Sequence, residues 1–520
     1  MTDRKETPPP RDSLPPPRPA ELATSELVEQ GFNRASGAPL VKGNAVRVLK
    51  DGAENYPAWF AAMRAAKKSI LFENYIIEDD AVGKELAEVL CERARAGVTV
   101  RLVRDWLGSW SGTSRRYWRS LRHAGVEVRG FNPPRLDSPL GWLTRDHRKT
   151  IAIDGEIAFV TGLCVSQRWL GDEKRGTPPW RDTGVEIRGP AVAYVERAFA
   201  EVWALTGHAL PADAFSDPAA MAEVGDVPVR IVAGAPKKAG LFRLDQLIAS
   251  AARRTLWLTD AYFVGFAPYV QSLCAAAQDN VDVRLLVPSA SDLPLIASFS
   301  RAGYRPLIEA GVRVFEWNGS MVHAKTAVAD GRWARVGSSN LNIASFVSNY
   351  EIDVAMEHEG LARKMEEMYL ADLENATEIV IDPRRRRVVP DRKTAPRTEP
   401  EKKGPRGASG RAVGAVRFAH AVGSVVSRRR ALGFVQSSLM AAFGGILVAV
   451  AAVAVLWPRV VAMPLAVLAA WLGLAMIVNA IRLRLSRRQP RRKHKRTRSR
   501  TKSGAHRPGT TAPTDPQPPS

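Results

Sequence analysis

The pattern with the most chemical content in this chain is H-x-K-x4-D, and it occurs twice. His147-Arg148-Lys149 is followed by Asp154, and His323-Ala324-Lys325 by Asp330. An imidazole can attack phosphorus or carry a proton near neutral pH, because its ordinary pKa is about 6.5. An ammonium group beside it can offset the charge of phosphoryl oxygens. In an extended strand, residues two apart share a face, so each copy would present histidine and lysine together while Arg148 or Ala324 points away. One copy arises readily by chance. Two copies at the same step of an internal repeat, using two of only eight histidines, point to paired imidazoles acting on one substrate.

The elements around the motifs repeat as well. Ser69 to Ile77 reads as a buried strand, Gly83 to Ala96 as a helix and Val98 to Arg104 as a second strand, a β-α-β unit. The same order returns in Thr255 to Phe263, Tyr269 to Asp279 and Val281 to Val287. Each half then runs through a helix ending in glycine into another strand, Arg119 to Phe131 in one and Arg305 to Trp317 in the other. A duplication of about 180 residues accounts for this and predicts two similar α/β lobes facing each other about an approximate two-fold axis. The first lobe is placed at 44–222 and the second at 223–383, after an arm at 1–43 expected to be disordered from its seven prolines in the first twenty positions.

Other stretches extend the signal beyond the motifs. They are Leu49 to Gly52 with Tyr56, Glu73-Asn74-Tyr75 with Asp80 and Gly83, Arg104 to Ser109, Trp180-Arg181-Asp182 before Arg188-Gly189-Pro190, and Val336 to Asn342. From about residue 45 to 380 the chain resembles the phospholipase D superfamily, and within it the bacterial cardiolipin synthases, particularly the B type. The resemblance implies two phospholipase D-like α/β lobes with mixed sheets. It also implies a two-step phosphatidyl transfer that needs neither metal nor cofactor, with His147 as nucleophile and His323 as acid and base. Lys149 and Lys325 would hold the phosphoryl oxygens, with Asn340 and Ser338 contacting the phosphate. Glu351 and Asp182 would orient the imidazoles, crossing so that Glu351 serves His147 and Asp182 serves His323. Asp154 and Asp330 complete the catalytic motifs, with the expectation that they stabilise the lobes rather than touch substrate. The first half departs from the family pattern at Cys164, where an asparagine would be expected.

Charge and hydropathy bound the setting. Residues 384–430 carry 15 basic and 3 acidic side chains, and residues 482–507 carry 13 basic and none acidic, which leaves residues 1–383 at a net −3 within a chain of +22. A lobe that tracked a nucleic-acid backbone would hold its positive charge there, so no nucleic-acid partner is expected. Between the basic runs, Ala431 to Trp457 and Val460 to Ile481 are uncharged for 27 and 22 residues, separated only by Pro458 and Arg459. Each is long enough to cross a bilayer core of about 30 Å. An α-helical transmembrane hairpin at 431–481 is therefore expected, between a basic linker at 384–430 and a basic, disordered tail at 482–520. By the positive-inside rule both flanks face the cytoplasm. With the resemblance, this implies a bacterial inner-membrane enzyme with cytoplasmic lobes, phospholipid substrates (phosphatidylglycerol first) and anionic head groups at the basic flanks. The alternative is a phosphodiesterase of the same superfamily that hydrolyses phospholipid or, less favoured, nucleic acid. Cys91, Cys164 and Cys274 have no metal-ligand spacing and read as buried thiols.

Overall fold

The computed structural model describes residues 19–134, 143–211, 214–381 and 388–390, with six isolated positions between 456 and 474. The first half runs α1 (Pro19–Ser36), β1 (Val41–Lys50), α2 (Asp51–Ala65), β2 (Ser69–Asn74), α3 (Ala81–Arg95), β3 (Thr99–Asp105), α4 (Arg115–His123), β4 (Glu127–Phe131), β5 (Thr150–Ile153), β6 (Ile157–Thr161), β7 (Thr183–Arg188) and α5 (Val192–Leu205). The second runs β8 (Val227–Gly234), α6 (Gly240–Ala251), β9 (Thr255–Thr259), α7 (Ala267–Gln278), β10 (Asp282–Pro288), α8 (Pro294–Ala302), α9 (Tyr304–Glu309), β11 (Arg313–Trp317), β12 (Thr326–Ala329), β13 (Trp333–Gly337), β14 (Glu351–Glu357), α10 (Glu359–Leu373), β15 (Ala376–Ile381) and β16 (Val388–Pro390).

The duplication is visible in the pairing. β2, β3 and β4 are parallel, as are β9, β10 and β11, and the motif strands β5 and β12 pair antiparallel to β2 and β9. The two halves do not form separate sheets. β1 and β8 pair antiparallel, which joins the described strands into one mixed sheet of 16.

Strand alternation sorts the core into layers. In β2, Ile70 and Phe72 pack with α2 and α3 residues such as Trp59, Phe60 and Leu86, while Leu71 faces a cluster built around Val195, Phe199 and Trp203 of α5. That second cluster also holds Met365 and Tyr369 of α10, so one core spans both lobes across the β1–β8 seam. The two motif strands therefore share one continuous sheet and one core.

Two expectations are corrected here, and a third falls outside the described residues. The arm expected to be disordered through residue 43 instead folds from Pro19. The proline run ends at that residue, which lies in the first helical turn where a missing N–H costs nothing. Arg230 then fastens the helix end to Asn33 and to Ala38 O, and Arg243 Nε donates to Ala35 O at 2.8 Å. The H-x-K triplets lie not within strands but immediately before them, because β5 and β12 begin at Thr150 and Thr326. Among the described residues no helix is long and apolar enough to cross a membrane. The hairpin expected at 431–481 falls outside the described residues apart from the six isolated positions, as does the tail at 482–520.

Candidate active site

The run-in to each motif strand is held by the opposite lobe. His147 N–H donates to Tyr350 O at 2.8 Å and His323 N–H to Arg181 O at 2.7 Å, beside parallel bridges of Asp146 with Tyr350 and Arg181 with Val322. Tyr350 and Arg181 each precede a carboxylate, so the crossing of the backbones sets the crossing of the side chains. His147 Nδ1 lies 2.9 Å from Glu351 Oε2, and His323 Nδ1 lies 2.7 Å from Asp182 Oδ2.

Donors surround both carboxylates. Ser338 and Ser345 hydroxyls donate to Glu351 at 2.6 and 2.7 Å. Trp169 Nε1–H and Thr183 N–H donate to Asp182, each at 2.8 Å. Burial by itself would raise both carboxyl pKa values. The adjacent imidazoles, the lysines and these hydrogen bonds outweigh it and leave both below the ordinary range. An ionised carboxylate only accepts, so each Nδ1 carries the proton and each Nε2 keeps its lone pair. Gly162 completes the packing, because a Cβ there would collide with the Asp182 carboxylate.

Burial lowers His147 to about 4, with Lys149 adding to the effect against Glu351. Burial and Lys325 lower His323 to about 3 against Asp182. Both rings are thus neutral near pH 7 and share a basin of positive charge. Lys149 and Lys325 are fully or almost fully buried. Lys149 Nζ donates to His147 O at 2.6 Å, and Lys325 Nζ donates to His323 O and lies 3.1 Å from the His323 ring nitrogens. Burial pushes Lys325 down to about 8, opposed by Asp182 and assisted by Lys149. The histidine side chains keep 12% and 6% of their surface, so the cleft opens narrowly and more at His147.

The depressed histidines have a stability consequence with a definite sign. As pH falls below about 6.5 the unfolded chain takes up these protons and the folded chain does not, so stability is lost between about pH 6.5 and 4. Each ring is expected to contribute about 1.4 kcal/mol per pH unit in that window. Measured in detergent by denaturant unfolding, the slope of full-length protein should exceed that of His323→Gln by about that amount. Parallel curves would contradict the assignment.

The remaining expected residues divide. Asn340 is buried, and its Oδ1 has no hydrogen-bond partner among the described residues. Ser338, expected at the phosphate, directs its hydroxyl proton to Glu351 and accepts Ile352 N–H at 2.9 Å, which makes it a positioning residue. Cys164 is buried, and its thiol pKa is raised by burial against the pull of Lys149 and Lys325.

Asp154 and Asp330, grouped with the catalytic motifs, lie at the far ends of β5 and β12, about 20 Å along the chain from the histidines. Each caps a turn in the left-handed region. Asp154 accepts the N–H groups of Lys67, Lys68 and Ser69, and Asp330 those of Arg253, Arg254 and Thr255. Asp154→Ala is expected to lower stability by about 2 kcal/mol with kcat unchanged below the unfolding transition. A tenfold kcat loss at unchanged Tm would make it a catalytic group after all.

The aromatic walls were not singled out from the sequence as parts of the site. Tyr75 lies edge-on to His147 at 4.8 Å, and Trp169, Trp180 and Tyr262 surround His323 at 5.2, 5.6 and 5.8 Å. Lys149 and Lys325 sit over Tyr75 and Tyr262 at 5.4 and 5.7 Å. The signal available was position, since Trp180 stands two residues before Asp182 and Tyr75 directly after β2.

Comparison with known proteins shows the family. A family model described as cardiolipin synthase, PLD-like domain, matches residues 60–203 and 244–373. A protein named cardiolipin synthase from Geobacillus sp. (strain WCH70) is 34% identical over 351 residues, covering 67% of this chain and 70% of its own. A protein named cardiolipin synthase A from Pseudomonas aeruginosa (strain LESB58) is 36% identical over 366 residues, covering 68% and 71%. Neither name carries the B designation. A crystal structure of phosphatidylserine synthase from Haemophilus influenzae Rd KW20 superposes with a TM-score of 0.53 at 14% identity, covering 68% of this chain and 92% of that one, a likeness of fold.

Proposed function

Because the chain belongs to the cardiolipin synthase family with phospholipase D-like domains, and is thus a phosphatidyltransferase, we propose that it joins two phosphatidylglycerol molecules through a phosphohistidine. His147 Nε2 attacks the phosphorus of the first lipid, forming the P–N bond as the P–O bond to the departing glycerol breaks. His323 Nε2–H gives that glycerol oxygen its proton. A terminal hydroxyl of the second lipid then loses its proton to His323 and attacks the phosphohistidine, releasing cardiolipin and restoring both rings.

The observation that carries this reading is the pair of crossed histidine–carboxylate contacts, which leave two Nε2 atoms available in one buried, doubly cationic cleft. His323 is neutral in the free site; the negative charge of the entering phosphodiester raises its pKa, so the ring takes its acid proton from solvent as the lipid binds. Lys149 and Lys325 then meet the charge that grows on the equatorial oxygens, in surroundings where fixed charge is worth far more than in water. His147 suits the nucleophile's place because it is the more exposed ring, whereas Lys325 lies 3.1 Å from the ring nitrogens of His323. The setting that fits is the bacterial inner membrane, with the lobes on the cytoplasmic side.

The decisive assay supplies purified full-length protein with labelled phosphatidylglycerol in mixed vesicles. One cardiolipin and one glycerol are expected per turnover. Accumulation of phosphatidic acid in place of cardiolipin would replace transfer by hydrolysis.

A further inference from the structure

The reaction leaves one surface of the first lobe without a task. α4 buries Tyr117, Trp118 and Leu121 against the sheet and turns Arg115, Arg116, Arg119 and Arg122 to solvent. From Trp106 to Val126 there are four arginines and no acidic residue. Two carboxylates from outside the stretch come near it: Asp79 accepts the hydroxyl of Ser114, at the start of α4, at 2.9 Å, and Glu78 is paired with Arg168 at 2.7 Å. In the loop before α4, Trp110 is 57% exposed and stacks on Trp106 with ring centroids 5.4 Å apart.

This loop is tied to the catalytic cleft. Ser109 Oγ donates to Tyr75 O at 3.1 Å, and the Tyr75 ring lies against His147. Asp105, where the loop begins, accepts the N–H of Asp146, the residue before His147, at 3.0 Å. On the other side of the cleft Leu170 is 39% exposed, directly after the Trp169 that packs on His323. Trp110 and Leu170 therefore each follow directly on a residue tied to one of the imidazoles, and the arginine-bearing α4 comes next in the chain after the Trp110 loop.

We propose that Trp106, Trp110 and Leu170, with the arginine face of α4, form an interfacial docking surface that seats the cleft on a bilayer rich in anionic phospholipid. Indole rings favour the head-group level of a bilayer, where an apolar body and a polar edge are both accommodated. Arginines are attracted to an anionic leaflet, and no acidic residue interrupts the sequence from Trp106 to Val126. Docked in this way, the narrow opening meets a phosphodiester at its own depth, and the lipid need not leave the membrane. The surface lies in the catalytic lobe and is distinct from the basic segments that flank the expected hairpin. The proposal rests on the phosphatidyltransferase reading for its substrate.

The test uses full-length protein, Trp110→Ala, and the triple variant Arg115→Glu, Arg116→Glu, Arg119→Glu. Tryptophan emission is recorded with vesicles of brominated phosphatidylglycerol and of brominated phosphatidylcholine. Emission lost in Trp110→Ala should account for a quenched component that is strong with the anionic lipid and weak with the zwitterionic one. On mixed vesicles the apparent KM should rise at least about fivefold in both variants. Saturating kcat, and kcat/KM for monomeric short-chain phosphatidylglycerol, should stay within twofold of the parent. An unquenched Trp110, vesicle kinetics like the parent's, or equal losses on vesicle and monomeric substrate would each overturn the proposal. Lipid-dependent quenching by a protein that turns over neither substrate would uphold the docking surface and remove the enzymatic reading instead.

Discussion

Replacement of either motif histidine is expected to lower cardiolipin formation by about ten-thousandfold or more, and the two replacements should fail at different steps. On the proposed mechanism His147→Ala removes the nitrogen that would form the P–N bond, so no phosphoryl-enzyme is expected to accumulate with any substrate. His323→Ala removes the proton donor, which matters only while the leaving alcohol needs a proton. A phosphatidyl ester of p-nitrophenol, whose leaving group departs as a stable anion, should therefore still give a stoichiometric burst and acid-labile phosphoprotein with His323→Ala. Because each ring is buried against an ionised carboxylate, the alanine variants also leave that charge unpaired, and His147→Gln and His323→Gln serve as controls of similar volume. A burst from His147→Ala with none from His323→Ala would reverse the roles. Near-normal turnover in either variant would remove the mechanism.

The second large effect is expected at the carboxylates, neither of which touches substrate. Glu351→Gln and Asp182→Asn keep the shape of the contact and change its direction. The amide offers N–H groups as well as an oxygen, while Ser338, Ser345 and Trp169 compete for the oxygen. With an N–H facing the imidazole, Nδ1 must accept, the proton moves to Nε2 and the reacting lone pair is lost. In a serine-protease triad the corresponding change costs about 10⁴ in kcat, and about 10² to 10⁴ is expected here with little change in KM. Because the pairing crosses, Asp182→Asn should be rescued by the activated p-nitrophenyl ester and Glu351→Gln should not. Equal behaviour with that substrate would mean that the carboxylates only hold the lobes together.

How much of this could be read from the chain follows from the range of each interaction. The strands and helices of both halves, the duplication and the pairing of histidine with lysine are carried by residues a few positions apart. Their periodicities and repeats survive in a linear text. The limits of that reading show at particular places. Proline density suggested an arm through residue 43, although the dense proline run ends where α1 begins. Asp154 and Asp330 share a motif with the histidines because they close the turn at the other end of the same strand. Ser338, two positions before Asn340, faces Glu351 instead of sharing its side, because β13 ends at Gly337 and strand alternation no longer applies beyond it. The continuity of the sheet through β1 and β8 had no signature at all, because an edge strand's partner is not written in its own side-chain pattern.

The sequence alone therefore determined the chemistry available: two imidazoles, two ammonium groups and the carboxylates able to orient them, within two α/β repeats. Those are properties of residue type and short spacing. Only the tertiary structure decided how they meet. Glu351 reaches His147 across 204 positions and Asp182 reaches His323 across 141. It is the folded crossing of backbones at Tyr350 and Arg181 that places each carboxylate on the opposite ring, fixes which nitrogen keeps its lone pair, and dries the cleft enough for both rings to stay neutral.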